Sequence, residues 1–196
     1  LKPLAAHIIL CYNTAMMNTT LPQSNTAPAC TTLGSGVWLA FRHIAGTSAP
    51  AVPPPAAGAH LLSVEFCRRG RHALPAGDYC TIAADGHAAV SMTAAGADDY
   101  YPGAVYEGLQ FWIDPDAQTD SGFLALMGLD VHGIINYFCA GGPYYCPMGD
   151  ELAALVDELW REFDVSGYAS PGELRYAVVR LLYMLLPLPY ADQGRK

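Results

Sequence analysis

Positive charge is what this chain has least of: only 10 of its 196 residues are Lys or Arg, and its two lysines, Lys2 and Lys196, lie near or at the ends. Against 18 acidic residues this leaves a net charge of −8. The molecule as a whole therefore repels nucleic acid, and a DNA-reading surface would need a local basic patch. The one basic cluster, Arg68, Arg69 and Arg71, is not extended, since the next Lys or Arg is Arg161. It reads as the solvated end of a strand, pairing with acids such as Asp98 or Asp99. No apolar run reaches the roughly eighteen residues that a membrane helix needs. The opening LKPLAAHIILCY has a short apolar run, broken by His7 and followed by no clear small-residue cleavage site, so it makes a poor signal peptide.

Motifs of site chemistry are scarce too. Six cysteines (Cys11, Cys30, Cys67, Cys80, Cys139, Cys146) are scattered with no CxxC or HxxxH spacing, which argues against a structural zinc site. They read as buried, reduced thiols of a cytoplasmic protein. Neither GSG at 34–36 nor GAVYEG at 103–108 opens into a lysine-bearing helix as a phosphate loop would. The six histidines are dispersed, and none has a carboxylate or nucleophile at a spacing that fixes a triad, although a triad is a spatial arrangement. GHAAVSM (86–92) offers one histidine in a strand without a second ligand two residues on. No catalytic residue, metal or cofactor is assigned, and the expectation is a protein that is not an enzyme.

What is present is apolar substance: 52% of residues are hydrophobic and only 14% charged, with 15 Pro and 19 Gly marking many turns. Residues 1–33 read as an N-terminal arm with little periodicity. From 34 to 114 come short strands with Gly/Pro turns, the pattern of a sandwich or barrel. These are GSGVWLAFRHI (34–44), LLSVEFCRR (61–69), short strands within 72–92, and VYEGLQFWID (105–114), separated by loops at 48–59 and 97–105. From 115 to 190 the period changes. Short helices are expected around 121–128 and 131–139, with a turn and a short extended piece at 141–148. DELAALVDELWREF (150–163) carries Leu152, Leu155, Val156, Leu159, Trp160 and Phe163 on one helical face. Ser170-Pro171-Gly172-Glu173 is a capping box that starts a last helix, ended by Pro187 and Pro189. The fold class expected is α+β: a cupin-like antiparallel β barrel or sandwich followed by two antiparallel helices.

Candidate binding residues follow from the strands. In VYEGLQFWID, Val105, Glu107, Leu109, Phe111 and Ile113 share one face, and Tyr106, Gly108, Gln110 and Trp112 the other. A carboxylate on an apolar face is costly to bury unless something satisfies it. Glu107 is thus either a ligand contact inside a barrel or a rim residue paired with an arginine or a backbone amide. Glu65 sits similarly between Val64 and Phe66, and Arg42 offers a cationic counterpart. Trp38, Phe41, Phe66 and Trp112 either wall an apolar pocket or form plain core. The ligand-binding set expected is Trp38, Arg42, Glu65, Glu107 and Trp112. The last helix is apolar on both sides, and Tyr176, Val179, Tyr183 and Met184 make its candidate dimerisation face or its packing against the rest of the domain.

Taken in order, these stretches resemble the regulatory domain of AraC-type transcriptional regulators, most closely members from anaerobic gut bacteria. The likeness rests on Cys67, Gly70 and Arg71 as a Cys-x-x-Gly-Arg run. It rests also on a Tyr-x-Gly pattern at Tyr106 and Gly108, followed by Leu109, Phe111, Ile113 and Asp114. It spans about residues 34 to 188. The resemblance implies a cupin-like barrel that senses a small-molecule effector, helices that form a homodimer, and a C-terminal pair of helix-turn-helix motifs that binds DNA. That pair would need on the order of a hundred further residues, whereas only YADQGRK follows Pro189. With Leu as first residue, the expectation is an effector-binding domain cut from a longer regulator. A standalone cupin-type binding protein or a cupin enzyme is the alternative.

Overall fold

The computed structural model describes residues 30–49, 60–76, 79–94, 99–166 and 170–187. They hold nine strands and four helices. The chain runs β1 (Cys30–Gly34), β2 (Val37–Ala45), β3 (Ser48–Ala49), β4 (His60–Ala76), β5 (Tyr79–Ala84), β6 (His87–Ala94), β7 (Asp99–Tyr100) and β8 (Val105–Ile113). It continues through α1 (Phe123–Leu126), α2 (Val131–Cys139), β9 (Tyr144–Pro147), α3 (Asp150–Ser166) and α4 (Pro171–Leu185). Residues 30–33, at the end of the expected arm, form most of β1. The rest of the arm, most of the Pro/Ala loop, Asp98 and Pro189 lie outside the described residues.

Six strands make one antiparallel path, β1-β2-β8-β4-β6-β9, while β5 pairs with the far half of β4, and β7 with β4 and β3. The path ends at β1 and β9. Among the described strands the sheet is therefore open, and the closed barrel is not formed. The class is α+β with an antiparallel sheet, as expected, but two helices, α1 and α2, precede the closing pair. The extended piece at 144–147 is a true strand that pairs with β6 and buries Tyr144 and Cys146.

Strand alternation sorts the core. From β2 come Val37, Leu39 and Phe41; from β4, Leu62, Val64 and Phe66; from β8, Leu109, Phe111 and Ile113. All lie on one face of the sheet, and the helices cover that face with Ile134 and Phe138 (α2), Leu155 and Trp160 (α3), and Leu174, Val178 and Leu181 (α4). Burying each such large side chain contributes about 1.5–3 kcal/mol. Phe41 meets Trp160 edge-on at 5.8 Å. The capping box starts α4 as its sequence dictates: Ser170 N–H donates to Glu173 Oε2 (2.7 Å), and Glu173 N–H to Ser170 Oγ (3.3 Å).

β4 is the element that ties the two strand groups together. Its first half pairs with β8 and β6, and the half from Arg71 to Ala76 with β5. The sequence suggests that the strand ends at the arginines, with Gly70 in a turn. Instead Gly70 sits inside a 17-residue strand, just past a bulge between Cys67 and Arg69, with φ +93°. A Cβ there would collide with the Val105 carbonyl. The Gly70 N–H donates to Asp85, and the Cys67 thiol to the Gly70 carbonyl at 3.6 Å. The Cys-x-x-Gly-Arg run is thus the hardware of a bend.

Candidate functional site

The second face of the sheet is also largely buried, and part of it is polar. Successive residues point to opposite faces of a strand, so the partners of the core residues are Trp38, Ala40 and Arg42 on β2, Leu61, Ser63, Glu65 and Cys67 on β4, and Tyr106, Gly108, Gln110 and Trp112 on β8. Cross-strand register aligns Ala40, Gln110 and Glu65 in one row and Arg42, Gly108 and Cys67 in the next. The bent half of β4 and the short strand β7, with the Tyr101 that follows it, close over these rows and bring His72, Asp99 and Tyr101 against them. The result is an enclosed polar layer in which Arg42, Ser63, Glu65, His72, Ser91 and Gln110 are all buried.

Its bonds can be traced atom by atom. Arg42 Nη1 donates to Asp99 and to Gln110 Oε1 (2.9 Å), and Gln110 Nε2 donates to Ser63 Oγ (3.0 Å). Glu65 accepts from the Tyr106 hydroxyl at 2.9 Å on Oε1, and its Oε2 lies 2.5 Å from His72 Nδ1. The Tyr101 hydroxyl donates to Asp99 at 3.4 Å. His72 Nε2 lies 3.4 Å from Asp99 Oδ1 without the alignment of a hydrogen bond, and it is buried with no other partner among the described residues. Rings pack the network: His72 stacks on Tyr101 at 4.8 Å, Tyr101 meets Tyr106 at 4.9 Å, and the Arg42 guanidinium lies over the Tyr101 ring at 5.4 Å. The Tyr-x-Gly pattern has a local reason here. Tyr106 folds back over Gly108, where a Cβ would strike its hydroxyl and sit 2.9 Å from the Phe66 carbonyl.

Electrostatics follows from burial and pairing. Burial alone would pull the His72 imidazolium down, but the Glu65 carboxylate on one ring nitrogen and the Asp99 carboxylate near the other outweigh it and push the group up to about 10. Burial would raise the Asp99 carboxyl, but His72 and Arg42 hold it below the usual carboxylate range. The layer thus contains two cations, Arg42 and His72, facing two acids. Burial pushes the Tyr101 and Tyr106 phenols up, and both stay neutral. With a carboxylate facing each ring nitrogen, His72 has no lone pair to give a metal, and among the described residues no group of three or more His, Cys, Asp or Glu forms a metal site.

Of the expected binding residues, Arg42 and Glu65 meet in this layer. Trp38 and Trp112, paired across β2 and β8, lie on the same face in a small cluster with Ala40 and Leu61. Phe41 and Phe66 belong to the helix-covered core instead. Glu107 lies on the face opposite Arg42, partly exposed at the rim, within 3.7 Å of His43 and Arg68 and 3.8 Å of Arg69. Nor do the arginines pair with Asp99. Arg68 donates to Asp157 at 2.7 Å and stacks over Trp160 at 4.8 Å, clamping β4 to α3. On α4, Tyr176 and Tyr183 are exposed and Met184 half-buried, whereas Val179 is 3% exposed and packs inward. Sequence reasoning missed His72, Asp99, Tyr101 and Gln110. Only Gln110 carried a signal, by sharing its strand face with Tyr106 and Trp112.

No protein-family model matches the chain, and no curated protein matches its sequence. Among solved structures it is similar to the AraC-like transcriptional activator CuxR, at 13% identity and a TM-score of 0.50, over 80% of this chain and 52% of that one. The chain spans about half the length of that neighbour, and nothing in the likeness narrows it to members from gut anaerobes. What the chain shares with an AraC-like transcriptional activator is the fold.

Proposed function

We propose that this chain is the regulatory domain of an AraC-type transcriptional regulator, one that senses a small molecule in the polar layer between the main sheet and the strands folded over it. It is not an enzyme; its helices form a homodimer, and control passes to a DNA-binding part outside the chain. The observation that carries this reading is the buried layer itself. A fold with an ample apolar core gains little from enclosing an arginine, a histidine and two acids unless they recognise something. The fold shared with an AraC-like activator supports the reading. So does β4, which presents Glu65 and His72 to the layer while Arg68 on the same strand grips α3.

A thermal-shift screen of sugars, organic acids and aromatic metabolites tests it. A ligand that binds only the folded chain adds about 2.7 kcal/mol at a hundredfold excess over Kd. For a domain of this size that raises Tm by roughly 5–10 °C. A screen without a stabilising compound, or retardation of promoter DNA by the chain alone at physiological salt, would count against the proposal.

A cupin-type enzyme is the second reading, and His72 between Glu65 and Asp99 is the observation in its favour, because it is a perturbed acid–base group among converging acids. Its pKa near 10 and its pairing make it a poor base at neutral pH. Stoichiometric metal in elemental analysis of the purified protein would revive this reading.

A further inference from the structure

Arg42 has five N–H donors, and only Nη1 is used. Its Nε and Nη2 are buried and bonded to nothing among the described residues, on a side chain that is 0% exposed. His72 Nε2 is the third such atom. Every orphan in the layer is thus a donor. The neighbouring oxygens already carry bonds from other groups: Glu65 from Tyr106 and His72, Asp99 Oδ2 from Arg42 and Tyr101, and the Gln110 oxygen from Arg42. Whatever completes the Arg42 edge must accept hydrogen bonds there.

Resting on the sensing role proposed above, we infer that the ligand is a small organic acid whose carboxylate is held bidentately by the Nε/Nη2 edge of Arg42. That edge presents two parallel N–H groups, and a carboxylate offers two coplanar acceptors to match them. The Arg42 guanidinium is fixed for the purpose, with its face on Tyr101 and its other edge held by Asp99 and Gln110. A sugar fits worse, because a hydroxyl offers that edge a single acceptor where a carboxylate offers two in one plane. A primary amide replaces one acceptor with a donor aimed at the fork. Beyond Arg42 on the same sheet face, Ala40, Leu61 and Trp112 supply an apolar wall for the body of the acid.

The test reads the arginine directly. The Nε–H resonances of the protein are followed by nitrogen-15 NMR during titration with benzoate and octanoate, then benzamide, octanamide and glucose, with melting temperatures measured alongside. Arg42→Lys, which keeps the charge but removes the fork, assigns the signal. The expected result is that at least one acid moves the Arg42 Nε–H signal downfield and raises Tm. The amides and glucose leave both unchanged, and Arg42→Lys weakens acid binding roughly tenfold or more. If Arg42→Lys does not fold, the signal is assigned instead through its proximity to the Tyr101 ring protons, and the wild-type Nε–H shift still decides. Acids that leave this signal unmoved at millimolar concentration overturn the inference, and ordered water then occupies the fork. A neutral compound that moves it as far as the acids also overturns it, while leaving the sensing role intact. That role falls only if the wider screen finds no ligand of any class.

Discussion

His72 lies 2.5 Å from Glu65, 3.4 Å from Asp99 and flat against Tyr101, and this makes it the group that couples the layer to pH. Its folded pKa, about 10, stands above the ordinary 6.5. A group held protonated in this way stabilises the fold fully below its unfolded pKa, and the stabilisation is lost as pH rises through the folded value. Asp99 works in the opposite direction. Its lowered pKa contributes above the unfolded carboxylate value and fades as pH falls through the folded one. Tyr101 and Tyr106 are pushed up by burial and do not ionise across the His72 window. Stability measured by urea unfolding is therefore expected to decline between pH 6.5 and about 10, and His72→Gln, less stable at neutral pH, should flatten that decline. An alkaline loss of the same size in His72→Gln would place its source elsewhere.

Among the elements, β4 carries most of the design, since its bulge turns His72 back over the sheet toward Glu65. Gly70 permits that turn because its φ of +93° and its contact with the Val105 backbone admit no side chain. Gly70→Ala should cost about 2 kcal/mol or more, read as a lower urea midpoint, and it should disturb the layer more than the helix-covered core. A Gly70→Ala variant of wild-type stability would remove the bulge from the argument. The same strand shows what a sequence reveals and what it conceals. Helices α2, α3 and α4 were legible because an apolar period of 3.6 over nine or more residues has few other readings. β9 was legible only as a short extended piece, because YYCP is too short for its alternation to say which strand it pairs with. Three arginines and a glycine look like a strand's end, and nothing local says that pairing resumes with β5 beyond them. The faces of β8 were legible, but not which of them held the chemistry. Glu107 among apolar residues drew attention, yet that face belongs to the helices. The polar layer gathers residues as far apart in the chain as Arg42, Glu65 and Asp99, and only the folded register brings them together.

At the scale of the whole molecule, the helix layer has an inner surface committed to the sheet and an outer one that is not. Tyr176 is 60% and Tyr183 48% exposed on α4, and Leu126 and Met127 beside α1 are 73% and 45% exposed. The Tyr183 hydroxyl donates to the Met127 carbonyl, which joins the two stretches into one apolar patch. Val179 does not belong to it. Buried on the inner side, a glutamate there would place an unpaired charge in the core and unfold the domain, so Val179→Glu reports folding rather than association. Tyr176 is the better probe, because its ring is 60% exposed and rests on the surface against Arg180. If α4 forms the homodimer interface, Tyr176→Glu places a charge in each half of a symmetric contact, where it meets itself or its neighbour across the two-fold axis. Sedimentation equilibrium should then show association weakened roughly tenfold or more, equivalent to about 1.4 kcal/mol, with the melting temperature of the monomer unchanged. An unaltered dimer in Tyr176→Glu and in Tyr183→Glu would take α4 out of the interface. A dimer would then use another surface, and the edges of the described sheet at β1 and β9 are candidates.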